Sequence, residues 1–218
     1  MSDLFSQPFT PSIETLAPGI VLIKGLVDSP VFLNLIQNII NQAPLRHMMT
    51  PMGHPTKVAM SNCGPLGWVS SLKGYDYSPT DPISNLRWPT MPHKFIELAQ
   101  QAANLTGLTH FLPDACLINQ YEIGHNLGRH QDKDEADFQW PIVSVSIGLP
   151  AVFQIFPSSP ENNSNRSKKA QNILLQDGDI LVLHGPARLR HHAIKTIKPD
   201  LLQPNLKYRY NLTFRKAR

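Results

Sequence analysis

From Asp114 to its end, the chain is a succession of short runs rich in Val, Ile, Leu, Phe and Tyr. They are ACLINQYE (115–122), PIVSVSIGL (141–149), AVFQIF (151–156), NILLQ (172–176), DILVLH (179–184) and KYRYNLTFRK (207–216), divided by turn formers such as Asp177-Gly178-Asp179. Strands this short and this closely spaced bury their apolar sides by folding back on one another. The pattern predicts a compact antiparallel sandwich or jelly roll and argues against a parallel α/β sheet. The polar tract PSSPENNSNRSKKAQN (157–172) reads as a mobile surface loop between two of the strands.

Helices belong to the first half. Residues 28–42, DSPVFLNLIQNIINQ, open with Asp28 and Ser29 as candidate caps and Pro30 in the first turn; Phe32, Leu35, Ile36, Ile39 and Ile40 then follow at helical spacing. A second helix is predicted over 91–106, MPHKFIELAQQAANLT, stopped by Gly107, with irregular strand and loop over 50–80. No linker or composition break divides the 218 residues, and 20 prolines with 12 glycines suit many turns, so the expectation is one mainly β domain with flanking helices.

The N-terminus MSDLFSQPFTPSIE has no basic region followed by an apolar run, and the apolar stretch GIVLIKGLV is short and interrupted by Lys24. We therefore expect no membrane association and a cytoplasmic location, with Cys63 and Cys116 as reduced thiols. Net charge is +4, but residues 188–218 hold nine Lys/Arg against Asp200 alone, which leaves the remainder acidic. A basic C-terminal part suits an anionic partner, a nucleic acid or a carboxylate cofactor.

Period-two alternation sorts the side chains of each strand. In KYRYNLTFRK, Arg209, Asn211, Thr213 and Arg215 share one face, and Tyr208, Tyr210, Leu212 and Phe214 the other. Two arginines and an amide are a poor lining for an apolar core, but they suit a barrel mouth that holds a carboxylate in a guanidinium fork. Asn119 and Tyr121 share a face of ACLINQYE, and both can donate to a carboxylate. Just downstream, His130 and Asp132 have the His-x-carboxylate spacing by which two side chains of an extended segment meet at one metal ion. In a chain with 9 His that triplet is weak by itself. A third ligand has to come from a later strand, where His184, His191 and His192 are all available, and spacing does not choose among them.

Taken together, NQY (119–121), HQDKDE (130–135), the DGD turn, RLxxHxI (188–194) and RYNLTFR (209–215) strongly resemble the AlkB family of Fe(II)/2-oxoglutarate-dependent dioxygenases, especially the bacterial members that repair alkylated DNA. The likeness continues upstream through TP (50–51), VAMSNCGPLGW (58–68) and GYDYSP (74–79). It implies a double-stranded β-helix, or jelly roll, with an N-terminal nucleotide-recognition lid. On this basis 1–45 is an extension and helix packed on the core, 46–90 the lid, and 91–218 a helix plus the catalytic core, all within one structural domain. By the same resemblance the metal ligands are His130, Asp132 and His192. Arg209, Asn211 and Tyr121 hold the distal carboxylate of 2-oxoglutarate, while Arg215 and Asn119 lie by its chelating end. Trp68 and Tyr75 clasp the target nucleotide, Asp134 contacts the damaged base with Glu135 beside it on an acidic rim, and Arg166 faces the lid.

The implied reaction is oxidative dealkylation of bases such as 1-methyladenine and 3-methylcytosine, using Fe(II), 2-oxoglutarate and O2 and releasing formaldehyde. The expected partner is alkylated DNA, or RNA, with single strands favoured, and the expected state is a monomer. Rival readings are a zinc hydrolase built on the same three ligands, a nucleic-acid-binding module that has lost catalysis, and an oxygenase acting on RNA or protein. A requirement for ferrous iron, ketoacid and oxygen separates the first two from a dioxygenase.

Overall fold

The computed structural model describes residues 10–157 and 169–218, so most of the 157–172 tract, Arg166 included, lies outside the described residues. The elements run β1 (Ser12–Ala17), β2 (Ile20–Lys24), α1 (Ser29–Gln42), β3 (Ala59–Cys63), β4 (Gly67–Ser71), β5 (Gly74–Ser78), α2 (His93–Asn104), β6 (Ala115–Glu122), β7 (Leu127–His130), β8 (Ile142–Gly148), β9 (Ala151–Ile155), β10 (Gln171–Leu175), β11 (Ile180–Leu183), a 3-10 turn (Gly185–Ala187), β12 (His192–Ile194) and β13 (Tyr208–Arg215).

The strands form a seven-stranded sheet in the order β1-β2-β11-β8-β13-β6-β3, a four-stranded sheet β10-β9-β12-β7, and a separate ribbon β4-β5. Every ladder between these strands is antiparallel. This is the jelly roll that the strand spacing predicts.

Apart from its exposed edge strand β1, the large sheet is covered on both sides, and alternation decides what each residue meets. One side packs on the helices: Ile118, Val143, Val145, Leu212 and Phe214 share a core with Phe32, Ile36 and Ile39 of α1 and Phe95, Leu98 and Ala102 of α2. Phe95 anchors this layer, lying parallel to Phe32 with ring centroids 5.1 Å apart and edge-on to Phe214 at 5.7 Å. The other side meets the small sheet through Leu117, Tyr121, Ile142, Leu181 and Leu183 against Phe153, Ile155 and Ile173. Between the sheets the space widens into the site described below.

Local chemistry sets the boundaries. The Asp28 carboxylate accepts from the Val31 amide at 3.3 Å and Pro30 occupies the first turn, which starts α1 where the sequence places it. Gly107 follows α2 at φ +81°. In the Asp177-Gly178-Asp179 turn, Asp177 accepts from Gly148 N at 2.7 Å and Asp179 from Gln176 N at 2.8 Å, fixing the entry into β11.

GIVLIKGLV contributes β2, whose Ile20–Ile23 are all buried because Val21 and Ile23 pack on the helix side and Ile20 and Leu22 on the side of the small sheet. Within 46–90, β3 is an edge strand of the large sheet, and β4-β5 is the part that stands apart from it. No helix among the described residues is long and apolar enough to cross a membrane.

Candidate active site

The small sheet brings the histidines together. β7 ends at His130 and β12 begins at His192, and the two are cross-strand partners with ring centroids 4.3 Å apart. Asp132, two residues beyond the end of β7, turns its carboxylate between them, 3.7 Å from His130 Nε2 and 3.9 Å from His192 Nε2. The ligand atoms of all three lie within 4.8 Å of one another. His130 Nδ1 donates to Gly128 O at 2.8 Å and His192 Nδ1 to Arg190 O at 3.0 Å, so both Nε2 lone pairs face the shared point. Burial, only partly offset by Asp132, pushes the His192 imidazole down to about 4, leaving it neutral and able to ligate. Burial alone would raise the Asp132 carboxyl, but Arg215 and the two imidazoles outweigh it and hold it well below the usual carboxylate range. Two imidazoles and one carboxylate on one side of a point, with space opposite, fit Fe(II). His191 lines the same cavity beside the trio, whereas His184 does not.

Behind the trio, β13 contributes the face expected of it. Arg209 pairs in register with Tyr121, and Asn211 with Asn119. Arg209 is fully buried. Its Nη2 donates to Ser146 Oγ at 2.8 Å and its Nη1 to Leu149 O at 3.3 Å, while Nε has no partner. Among the described residues no carboxylate lies within ion-pair distance of it. Burial pulls this guanidinium down to about 10 and pushes the Tyr121 hydroxyl up to about 12. Asn119 Oδ1 is likewise buried without a partner. A desolvated cation beside a phenol and two amides fits the carboxylate of a small acid. A hydrolytic zinc centre would leave that cation without a use.

Sequence reasoning missed Ser144 and Ser146, which face Thr213 and Asn211 from β8. Ser146 steadies Arg209, and Ser144 Oγ accepts from Asn211 Nδ2 at 2.8 Å. Their signal was present: two polar residues at period two inside PIVSVSIGL. The cavity, about 700 Å³, is completed by an apolar floor including Leu117, Ile142, Phe153 and Leu183.

At the mouth stands the β4-β5 ribbon. Trp68 and Tyr75 line the cavity and stack on each other, with ring centroids 5.3 Å apart and planes inclined by 19°. The Trp68 indole donates to Asp134 Oδ2 at 2.8 Å, joining the ribbon to the loop after β7. Tyr75 is half exposed.

Glu135 is not where the acidic-rim reading puts it. It is 6% exposed and faces inward, paired with Arg188 at 3.0 Å and Arg215 at 3.2 Å, and it accepts from Tyr77 Oη at 2.7 Å. Two buried guanidinium groups need an anion, and that need overrides the surface position suggested by the charged run HQDKDE.

The family described as the 2OG-Fe(II) oxygenase superfamily matches residues 19–215. The alpha-ketoglutarate-dependent dioxygenase AlkB of Escherichia coli (strain K12) is 43% identical over 219 residues, covering 100% of this chain and 98% of that protein. The protein of the same name from Salmonella typhimurium (strain LT2) is 44% identical, with the same coverage. The solved structure of OsALKBH1 superposes with a TM-score of 0.75 at 26% identity, covering 94% of this chain and all of the other.

Proposed function

Because the chain belongs to the AlkB family of the 2OG-Fe(II) oxygenase superfamily, we propose that it removes alkyl groups from nitrogen atoms of nucleic-acid bases, with alkylated DNA as its principal substrate. It is a dioxygenase that uses Fe(II), with 2-oxoglutarate and O2 as cosubstrates. The observation that carries the reading is the buried Arg209, which pairs with no carboxylate among the described residues, in one cavity with His130, Asp132 and His192.

His130, Asp132 and His192 would hold the iron. Arg209, Asn211 and Tyr121 would take the distal carboxylate of 2-oxoglutarate, with Asn119 and Arg215 beside its other end. When bound, the iron and its cosubstrates supply the oxidation that hydroxylates the alkyl carbon next to nitrogen as 2-oxoglutarate becomes succinate and CO2. The chain's own residues position the reactants and exclude water. The apolar floor keeps the pocket dry. The hydroxyalkyl product then expels an aldehyde, formaldehyde from a methyl group, and the base is restored without strand or glycosidic cleavage.

A base has to leave its stack to reach this depth, which costs least in a single strand, so single-stranded substrate is favoured. Trp68 and Tyr75 are the platform for it, and because they lie against each other, the base either parts them or stacks on their outer side. Asp134 supplies negative charge where a cationic methylated base would lie, while the basic C-terminal region suits phosphates. We place the enzyme in the cytoplasm as a monomer.

The reading is tested by incubating iron-loaded protein with 2-oxoglutarate and methylated DNA and RNA oligonucleotides, each single and double stranded, and reading product masses. Restored DNA, formed fastest from single strands, is the expected result. Persistence of the methyl group in every substrate would contradict it.

A further inference from the structure

Glu135 lies three residues beyond Asp132 with its side chain 1% exposed, and each of its three partners leads to a different part of the site. Arg215, paired with Glu135 through Nε, gives its Nη2 to Asp132 Oδ2 at 2.7 Å. Arg188, paired through Nη2, donates from Nη1 to the main-chain oxygen of Asp132 at 2.8 Å and from Nε to Trp140 O at 3.0 Å. Asp132 is thus held twice, by its carboxylate and by its backbone, and Glu135 balances the charge of both guanidinium groups that hold it. The third partner, Tyr77, belongs to β5 and pairs across the ribbon with Trp68. Its ring packs with Ala115 and Ala217 under the Arg218 guanidinium, and its hydroxyl joins it to Glu135.

The aromatic ribbon at the mouth is therefore linked to the metal-binding carboxylate by a hydrogen bond from Tyr77 to Glu135, an ion pair of Glu135 with Arg215, and a hydrogen bond from Arg215 to Asp132. We propose that Glu135 is a positioning residue that couples the seating of the β4-β5 ribbon to the orientation of Asp132, so that occupation of the nucleotide platform alters the metal site. This rests on the functional reading above and deepens it. Glu135 touches neither base nor metal in this role. It acts through Arg215 and Arg188, which without it would be two buried cations competing for Asp132. The Trp68–Asp134 bond seats the ribbon on the same loop, and Arg218 ties that loop to the ribbon again through Asp134 O and Asp76, but neither contact reaches the Asp132 carboxylate.

Co(II) titration followed by visible absorption tests this without turnover, because its d–d bands report ligand geometry as well as affinity. Wild type, Glu135→Gln, Tyr77→Phe and Asp132→Ala are titrated with and without a 1-methyladenine oligonucleotide, each checked for folding by thermal unfolding. In wild type the oligonucleotide is expected to shift the Co(II) bands and affinity. Glu135→Gln, which keeps size but not charge, is expected to weaken Co(II) binding by about tenfold and to alter the bands, as loss of a partner behind a ligand does. Tyr77→Phe, which removes one hydroxyl and keeps the packed ring, is expected to reduce the oligonucleotide's effect severalfold. The coupling is overturned if the oligonucleotide moves the Tyr77→Phe spectrum as it moves wild type, if it leaves wild type unmoved, or if Glu135→Gln binds Co(II) as wild type does. Wild-type Co(II) binding by Asp132→Ala would instead overturn the metal-site reading beneath it.

Discussion

Among the described residues Arg209 has no charged partner, and a buried cation in that position is stabilised when a ligand brings its own carboxylate. Arg209→Ala is accordingly expected to weaken 2-oxoglutarate binding by about 2–5 kcal/mol, with iron affinity little changed. Calorimetry showing unaltered 2-oxoglutarate binding would remove Arg209 from that role. At the metal, His192→Ala and Asp132→Ala are expected to abolish tight iron binding, and His191→Ala to do much less, since His191 lies beside the trio and does not share its central point. Iron titration giving equal losses for His191→Ala and His192→Ala would refute the assignment. Adjacent histidines illustrate what a sequence withholds. Spacing does not choose between them, and it is the contact of the His192 ring with His130 and Asp132 that assigns the ligand. Glu135 was illegible for a related reason. Its neighbours in the chain are mostly charged or exposed, and its burial is decided by Arg188, Arg215 and Tyr77, all distant in sequence.

Strands with clear period-two faces were readable, β6, β8 and β13 above all, because their ends coincide with turn chemistry and their two sides differ in polarity. β2 was not recognised as a strand, because a strand covered on both faces loses its alternation and reads only as an apolar run. β7 and β12 were too short, at four and three residues, to show a period. The packing of α2 on the large sheet rests on Phe95, wedged between Phe32 and Phe214. Phe95→Ala is expected to destabilise the protein by about 3–5 kcal/mol in denaturant unfolding, and a loss below 1 kcal/mol would show that this layer repacks freely. At the ribbon, Trp68→Ala is expected to cost about 1–3 kcal/mol of oligonucleotide affinity if a base stacks there. Filter binding that shows wild-type affinity beside a lowered melting temperature would mark Trp68 as a packing residue only.

For the whole molecule, the division of labour follows from the two faces of one sheet. Helices cover the outer face and give it a conventional apolar core, which leaves the inner face free to carry arginines, amides and serines that no core would accept. The small sheet supplies the two histidines from the adjacent strands β7 and β12, and the ribbon brings Trp68 and Tyr75 to the same cavity. On the proposed function that arrangement brings an alkylated base, a ketoacid and oxygen to one point, and the product balance is the most direct test of it. Iron-loaded protein, 2-oxoglutarate, 18O-labelled O2 and a single-stranded 1-methyladenine oligonucleotide are expected to give succinate, CO2, formaldehyde and unmodified adenine in equal amounts, with one labelled oxygen entering succinate. Released free base, a cut strand, or repair that proceeds without oxygen would contradict the account.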